Sequence, residues 1–265
     1  MALCLVPDKT GYCPTQSNSF SESSFNSTGS PNLASMRMKF HVFVDFDGTI
    51  APLDTTDLLL ERFADPQWHQ IEEEWKSGAM GSRECMIRQV DLVRATPDEL
   101  DRFISDIDID PHFAAFVDDC REMGHAVTVV SDGLDRTVGT VLKRAGINVP
   151  FKANHLEWTG GNRWRLSFPH SRSDCSALAG NCKCQFAEAE RANGRIVVGD
   201  GRSDYCISGR VDLVLAKGSL VSHCKGRGLP YVAFRDFKEA GELLTHWIAD
   251  RFVGSLQRPI LVGDE

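Results

Sequence analysis

From Phe40 onward, short apolar runs rich in β-branched residues alternate with segments of helical periodicity. Strands that are buried on both faces of a sheet have this continuous apolar character. The predicted strands are Phe40 to Val44, Ala126 to Val130, Arg195 to Val198, Val211 to Leu215 and Tyr231 to Phe234. Parallel strands that alternate with helices are joined by right-handed crossovers. We therefore predict an α/β fold: a Rossmann-like parallel sheet with helices on both faces.

A helical insert interrupts the alternation between the first two strands. Residues 52–110 have helical patterns throughout. Thr96-Pro97-Asp98-Glu99 combines an N-cap threonine, a first-turn proline and a capping-box glutamate, which predicts the start of a helix. The residues Met86, Ile87, Val90 and Val93 are predicted to form one apolar helix face. The sequence thus predicts a helical cap inserted into the α/β core.

The remaining organisation follows from two further segments. Residues 154–168 carry Gly160-Gly161 between two short tryptophan-containing runs, which predicts a β-hairpin. Residues 1–36 are rich in serine and are predicted to be a disordered tail. The predicted domains are therefore the tail, an α/β catalytic core of residues 37–51 and 111–265, and the cap of residues 52–110.

Composition excludes several classes of partner. The formal net charge is −8 and no basic run is present, which argues against a nucleic-acid partner. No stretch approaches the roughly 18 apolar residues that a membrane-spanning helix needs. The nine cysteines are odd in number. Cys175, Cys182 and Cys184 do not have the spacing of a zinc site, so the cysteines indicate a reducing compartment, the cytoplasm.

Two carboxylates follow the first predicted strand. Asp45 and Asp47 lie two positions apart, so they point the same way if the strand geometry continues. Ligands bind at the carboxyl ends of strands in open parallel sheets. Because like charges repel in a partly buried site, a divalent cation would stabilise the pair, and oxygen ligands favour Mg²⁺. The alternative is a solvated acidic turn, which such a motif alone does not exclude.

Three further motifs follow in the chain: Val130-Ser131-Asp132-Gly133, Lys183, and Gly199-Asp200-Gly201-Arg202-Ser203-Asp204. Together with Asp45-Phe46-Asp47-Gly48-Thr49 they resemble phosphatases of the haloacid dehalogenase superfamily. That family carries DxDxT at the first strand, Ser or Thr after the second, then Lys, then GDxxxD. The resemblance covers roughly residues 40 to 235 and implies a Mg²⁺-dependent phosphomonoesterase that acts on a small phosphorylated metabolite.

The resemblance also implies a role for each matching residue. Asp45 would be the nucleophile that forms an aspartyl-phosphate, and Asp47 the general acid and base. Asp204 would support the metal or orient the lysine. The expected phosphate-binding residues are Ser131, Asp132, Gly133 and Lys183, and the expected Mg²⁺ ligands are the Asp45 carboxylate, the Asp47 backbone carbonyl and Asp200.

The insert occupies the position of the cap in this superfamily, and Arg83 is its predicted specificity residue. Local segments such as Asp54-Thr55-Thr56-Asp57 and Gly180-Asn181-Cys182-Lys183 resemble phosphatases of methionine salvage, which act on 2-hydroxy-3-keto-5-methylthiopentenyl-1-phosphate. Phosphoserine phosphatases, which also have a helical cap, are the main alternative. An inactive phospholigand-binding protein and a phosphotransferase or mutase stay open, whereas dehalogenation is disfavoured. The oligomeric state is left open, with a homodimer as one alternative.

Overall fold

The computed structural model describes residues 38–256, so the predicted tail lies outside the described residues. The strands are β1 (Phe40–Val44), β2 (Ala126–Leu134), β3 (Phe151–Gly160), β4 (Arg163–Ser167), β5 (Gly194–Gly199), β6 (Leu213–Ala216) and β7 (Tyr231–Ala233). They form one sheet in the order β4-β3-β2-β1-β5-β6-β7. Every neighbouring pair is parallel except β3 and β4. The predicted parallel sheet is confirmed, and β3 extends it beyond the five predicted strands.

Both faces of the sheet are covered. Side chains alternate along a strand, and in β1 Val42 and Val44 join one apolar cluster whereas Phe43 joins another. The first cluster receives residues from α5 (Phe113–Glu122), α6 (Asp135–Arg144) and α10 (Phe237–Leu256). The second receives residues from α7 (Cys184–Ala189), α8 (Tyr205–Ser208) and α9 (Gly218–Arg227). This is the predicted α/β arrangement with helices on both faces.

The segment between β1 and β2 is helical, as predicted. It contains α1 (Thr55–Phe63), α2 (Trp68–Lys76), α3 (Ser82–Val90) and α4 (Pro97–Ser105). The predicted capping box is present: the Glu99 N–H donates to Thr96 Oγ1, and the Thr96 N–H donates to Glu99 Oε2.

One residue of the predicted apolar face in this segment is wrongly assigned. Ile87 is 41% exposed, whereas Met86 and Val90 are buried. Adjacent helical positions lie about 100° apart, so a helix that buries Met86 and Val90 turns Ile87 toward solvent. Val93, which is buried, comes after α3 has ended.

The predicted hairpin is formed by β3 and β4, with Gly160 and Gly161 at its turn. Both glycines have positive φ, at 115° and 57°. The hairpin contacts the helical insert: the Trp164 indole N–H donates to the Ala95 carbonyl at 2.8 Å, and Trp164 is only 4% exposed. The hairpin therefore supports the insert from the edge of the sheet.

Within the range that the structure describes, no helix combines the length and the apolarity needed to cross a bilayer. The seven cysteines described there are unpaired. Cys175, Cys182 and Cys184 are buried in the second apolar cluster, and Cys184 is the first residue of α7.

Candidate active site

The site lies at the carboxyl ends of three neighbouring strands. β1 lies between β2 and β5 and is parallel to both. Asp45 follows β1, Ser131 lies in the last part of β2, and Asp200 follows β5. Because parallel strands end at the same edge of a sheet, these residues from distant parts of the sequence converge there.

A buried lysine connects two of the acidic residues. Lys183 Nζ lies 2.7 Å from Asp45 Oδ1 and 2.8 Å from Asp204 Oδ1. The Ser203 hydroxyl lies 2.9 Å from the same Nζ and donates to Asp45 Oδ2 at 3.1 Å. Lys183, Asp45 and Asp204 are each at most 4% exposed. The lysine thus partly neutralises two carboxylates that burial would otherwise leave unpaired.

Asp47 is held by the start of the insert. The Thr55 backbone N–H and hydroxyl both donate to Asp47 Oδ1, the N–H at 2.8 Å. The other oxygen, Oδ2, accepts from the Ser131 hydroxyl at 3.3 Å. The Gly133 N–H donates to Ser131 Oγ at 2.8 Å, and a Cβ at Gly133 would lie 2.4 Å from Asp47 Oδ2. Glycine at this position therefore leaves room for Asp47.

Three carboxylates are placed to hold a cation. One oxygen each of Asp45, Asp200 and Asp204 lies within 4.8 Å of the others, and among the described residues this is the one such group of His, Cys, Asp and Glu side chains. The Thr49 hydroxyl donates to Asp200 Oδ1 at 3.1 Å and so orients it. A donor set made only of oxygen atoms fits Mg²⁺. Asp204 also bonds the lysine, whereas Asp47 directs its carboxylate toward Thr55 and Ser131.

The electrostatics of the site are those of a buried acidic cluster. Burial, together with the charges of Asp54 and Asp45, raises the pKa of Asp47 to about 8 against the opposing bonds from Thr55. Burial and the Asp45 charge raise the pKa of Asp200 to about 6. The same two causes raise the pKa of Asp204 well above its ordinary value. Extra positive charge, from a cation, would therefore stabilise this group of carboxylates.

The pKa of Lys183 is raised, whereas burial alone would lower the pKa of a lysine. Burial favours loss of its proton, but the charges of Asp204 and Asp45 outweigh burial and hold the pKa above its ordinary value. Lys183 is therefore a fixed positive charge next to Asp45.

A cavity of about 370 Å³ opens above Asp45 and Asp47, between the core and the insert. Its apolar wall includes Leu53, Trp75 and Met86, and its acidic wall includes Asp54, Asp57 and Glu72. Among the described lining residues Arg202 is the one basic side chain. Arg83 does not line this cavity, although the preceding Ser82 does, and its backbone N–H donates to the Leu178 carbonyl. A small molecule fits between the acidic motif and the insert.

Asp132 is among the residues that line the cavity, and its carboxylate accepts hydrogen bonds from the chain itself. It accepts from the Ser82 hydroxyl at 2.6 Å, the Asn181 backbone N–H at 2.7 Å and the Asn154 amide at 3.1 Å. Burial raises its pKa against these bonds. The Asp132 carboxylate therefore bonds three segments of the chain at the edge of the cavity.

Sequence reasoning missed several polar contributors to the site. Ser203 lies inside the GDxxxD motif and Thr49 inside the DxDxT motif. The motifs do not predict which carboxylates the two hydroxyls bond. Thr55 follows Asp54 in a segment whose sequence indicates a resemblance to a subgroup of phosphatases but does not predict a contact with Asp47. Their contacts with Asp45, Asp200 and Asp47 depend on how the loops fold over the sheet edge.

Comparisons with known proteins identify similar chains. The family model described as haloacid dehalogenase-like hydrolase matches residues 42–208. A 2-hydroxy-3-keto-5-methylthiopentenyl-1-phosphate phosphatase from Exiguobacterium sp. is 31% identical over 205 residues, covering 76% of this chain and 94% of the relative. The enzyme of the same name from Brevibacillus brevis is 27% identical over 215 residues, with coverage of 79% and 96%.

A similar fold is known among solved structures. A phospho-aspartyl intermediate analogue of phosphoserine phosphatase superposes with a TM-score of 0.60 at 21% identity. The match covers 79% of this chain and 99% of that one. Identity at this level bears on the fold alone, and the match supports the α/β fold described above.

Proposed function

Because this chain belongs to the haloacid dehalogenase-like hydrolase family and is a phosphatase of that family, we propose that it hydrolyses small phosphomonoesters with Mg²⁺ through an aspartyl-phosphate on Asp45. The observation that carries the proposal is the position of the Asp45 carboxylate. It lines the cavity and lies 2.7 Å from Lys183 Nζ. One of its oxygens also lies within 4.8 Å of a carboxylate oxygen of Asp200 and of Asp204, close enough for one cation to bind all three. A nucleophile, a fixed positive charge and a metal site thus meet where a phosphate would enter.

Each residue has a defined task in the proposed reaction. An Asp45 oxygen attacks phosphorus in line and displaces the alcohol, whose oxygen takes a proton from Asp47. Water then attacks the aspartyl-phosphate after losing a proton to Asp47, which releases phosphate and restores Asp45. The Ser131 hydroxyl, which contacts Asp47 and accepts from the Gly133 N–H, would rotate to donate to a phosphate oxygen, and the Gly133 N–H would donate to another. Lys183 stabilises the negative charge on the transferring group.

Mg²⁺ would be held by the Asp45 and Asp200 carboxylates with the Asp47 backbone carbonyl. Asp204 is placed to support this group while it bonds Lys183. The cation, when bound, offsets the repulsion between the Asp45 carboxylate and the phosphate. The oxygen-only donor set supports this choice of metal.

We further propose that residues 52–110 act as the cap and residues 37–51 and 111–265 as the catalytic core. The cavity lies between residues of both segments, since it is lined by Trp75 and Met86 on one side and by Asp45 and Asp200 on the other. Closure of the cap would exclude water during phosphoryl transfer.

The walls of the cavity bear on the substrate. A leaving group would meet the carboxylates of Asp54, Asp57 and Glu72 and the apolar side chains opposite them. The Arg202 guanidinium lies over the Trp75 ring, 5.2 Å from its centre, and donates to the carbonyls of Trp75 and Lys76. It is thus already engaged. These walls favour an uncharged or cationic leaving group over one with a carboxylate.

This preference separates the two named candidates. The thiopentenyl phosphate named for the bacterial relatives has no charge beyond its phosphate, and its methylthio group suits an apolar wall. Phosphoserine, named for the structural neighbour, would bring a carboxylate toward acidic side chains. We therefore propose phosphomonoesters with an uncharged leaving group as the substrate class. The unpaired buried thiols support a reducing compartment, and we place the protein in the cytoplasm.

The test is turnover by the purified protein with Mg²⁺ on a panel of phosphomonoesters that includes the thiopentenyl phosphate, phosphoserine and a generic aryl phosphate. We expect phosphate release that EDTA abolishes. Asp45→Asn should lower turnover by about 10⁴-fold or more, because the carboxylate is the nucleophile. Asp118→Asn, a change on the exposed side of α5, is the matched control and should retain activity.

Other outcomes would identify other functions. Binding of phosphomonoesters without any phosphate release would indicate an inactive binding protein. Transfer of the phosphate to an added alcohol in preference to water would indicate a phosphotransferase. A preference for phosphoserine over the thiopentenyl phosphate would contradict the proposed substrate class but not the proposed reaction type.

A further inference from the structure

A buried carboxylate joins three segments of the chain beside the site. Asp132 Oδ2 accepts from the Ser82 hydroxyl at 2.6 Å, whereas Oδ1 accepts from the Asn181 N–H at 2.7 Å and the Asn154 amide at 3.1 Å. The Asn154 amide also donates to the Asp132 carbonyl at 2.6 Å. Ser82 belongs to the insert, Asn154 to β3 and Asn181 to the loop before Lys183. Both carboxylate oxygens are therefore used in connecting these segments.

The insert also contacts the loop that precedes Lys183, residues 168–182, which we call the lysine loop. These contacts lie next to the Asp132 carboxylate. Ser82 begins α3, and its hydroxyl also accepts from the Gly180 N–H at 3.4 Å. The Arg83 N–H donates to the Leu178 carbonyl at 3.3 Å. A Cβ at Gly81 would lie 2.3 Å from the Leu178 side chain, so the two segments need glycine there to approach each other.

The lysine loop is strained at this contact. Leu178 is the one non-glycine residue with positive φ among the described residues, at 48°. Such a conformation costs a side-chain-bearing residue free energy and persists where surrounding contacts hold it. The contacts with Gly81 and Arg83 hold Leu178 from the insert side. The loop conformation thus depends on the insert.

The same loop sets the position of Lys183. Asn181 lies two residues before it, and its side-chain amide donates to the Ser131 carbonyl at 2.7 Å and the Lys152 carbonyl at 2.9 Å. Its backbone N–H is the group bonded to Asp132. A shift of Asn181 would move the lysine away from Asp45.

We propose that the hydrogen bond between Ser82 and Asp132 positions Lys183 through the Asn181 N–H. Lys183 would then reach its place beside Asp45 only when the insert is packed against the core. Asp132 is then a positioning residue. The inference rests on the proposed function, since it assigns a regulator of the same site. Both carboxylate oxygens are used in these bonds, so this role does not require the Asp132 carboxylate to contact phosphate.

The test compares Ser82→Ala, Asp132→Ala, Asp132→Asn and the double alanine variant. Two readouts are used: kcat/KM for a phosphomonoester, and competitive inhibition by inorganic phosphate, which reaches Lys183 but has no leaving group to contact the insert. Ser77→Ala is the matched control, since Ser77 is an exposed serine of the insert whose hydroxyl donates to the Glu74 carbonyl of its own helix. Thermal unfolding confirms that each variant is folded.

We expect Asp132→Ala to lower kcat/KM by about 100-fold, because small displacements of reacting groups have effects of that size. Ser82→Ala should lower kcat/KM by about tenfold and weaken phosphate inhibition by about fivefold, because it removes the hydroxyl that donates to Asp132. In the Asp132→Ala background the Ser82→Ala change should have no further effect. Asp132→Asn should stay within about threefold of the wild type, since the Ser82 hydroxyl can turn to accept from an amide.

Unchanged phosphate inhibition in Ser82→Ala would overturn the proposal, and so would multiplicative effects in the double variant. If Asp132→Ala does not fold, Ser82→Ala and Asp132→Asn decide the matter, and loss of activity in Asp132→Asn equal to that of Asp45→Asn would contradict a positioning role. An inactive wild-type protein would contradict the proposed function itself. Phosphate affinity measured by calorimetry in the same variants would then still test whether the Ser82–Asp132 hydrogen bond positions Lys183.

Discussion

Lys183 Nζ lies 2.7 Å from Asp45 Oδ1 in a site where both side chains are at most 4% exposed. The two residues are 138 positions apart in the sequence, and they meet because Lys183, at the N-cap of α7, reaches the residue that follows β1. This pair fixes the orientation of the proposed nucleophile. Asp204, on the other side of Nζ at 2.8 Å, keeps the lysine in place.

Replacing the lysine should affect activity and stability separately. We expect Lys183→Met to lower kcat/KM by about 10²- to 10³-fold, because one charge-stabilising donor is lost. It should also lower the free energy of unfolding by about 3–5 kcal/mol, since Asp45 and Asp204 become buried charges without a partner. Steady-state kinetics and urea unfolding measure the two effects.

A second change separates these effects further. Adding Asp204→Asn to Lys183→Met removes one of the unpaired charges, so it should restore part of the stability and none of the activity. The control Lys143→Met alters an exposed lysine of α6 and should change neither quantity. Recovery of activity in the double variant would show that Lys183 acts only to stabilise the fold.

A pair of glycines tests the proposed metal site by sterics alone. Gly48 and Gly124 have positive φ, at 69° and 81°. A Cβ at Gly48 would lie 2.4 Å from Asp200 Oδ2, whereas at Gly124 nothing lies within 4 Å. Gly48→Ala should therefore displace Asp200 and raise the Mg²⁺ concentration needed for half-maximal activity by about tenfold or more, as loss of metal-site support does.

Gly124→Ala carries a similar backbone cost without the clash. Both variants should lose about 1 kcal/mol of unfolding free energy from the positive φ. Only Gly48→Ala should change the Mg²⁺ dependence, measured by activity titration. Equal Mg²⁺ dependence in the two variants would place the metal away from Asp200.

Much of this site was predictable from the sequence. Asp45, Ser131 and Asp200 each follow or end an apolar strand, and parallel strands present their carboxyl ends at one edge. The spacing of the motifs and the alternation of strands and helices therefore predicted both the sheet and the convergence of these residues. The capping box at Thr96 and the hairpin turn at Gly160 were predictable because both signals are local.

The contacts that depend on tertiary placement were not predictable. Ser82 and Asp132 are 50 positions apart and meet only because the insert folds back over the core. The motif that contains Asp132 likewise does not predict that its carboxylate bonds the insert, β3 and the loop before Lys183. No sequence pattern says which face of α3 lines the cavity, so the sequence does not predict that Ser82 lies in the lining and Arg83 outside it. Ile87 was misplaced for the same reason.

The hairpin contact with the insert predicts an unequal effect of two tryptophan changes. Trp164 is 4% exposed and donates to the Ala95 carbonyl, whereas Trp158 on the same hairpin is 51% exposed. Trp164→Phe removes the donor and leaves a buried carbonyl unpaired, which should cost about 1–3 kcal/mol of unfolding free energy in urea titrations. Trp158→Phe should cost less than about 0.5 kcal/mol. Equal losses would contradict the supporting contact.

The acidic wall of the cavity predicts a preference between two substrates that differ by one group. Phosphoethanolamine is phosphoserine without its carboxylate, so both reach Asp45 with the same phosphate and the same amine. The carboxylate of phosphoserine would approach Asp54, Asp57 and Glu72. Repulsion of about 1 kcal/mol for each nearby unit charge lowers kcat/KM by roughly fivefold, so we expect phosphoethanolamine to be preferred by about tenfold or more.

Removing one wall charge should reduce this preference. Burial and the Asp54 charge raise the pKa of Asp57 to about 7, so at pH 8 and above Asp57 is mostly ionised and its contribution is largest. At that pH Asp57→Asn should narrow the ratio of the two kcat/KM values by about fivefold, through loss of one repulsive charge. Asp98→Asn, an exposed acid on α4, serves as the control and should leave the ratio unchanged. A wild-type preference for phosphoserine that Asp57→Asn does not alter would mean that the leaving group does not contact this wall.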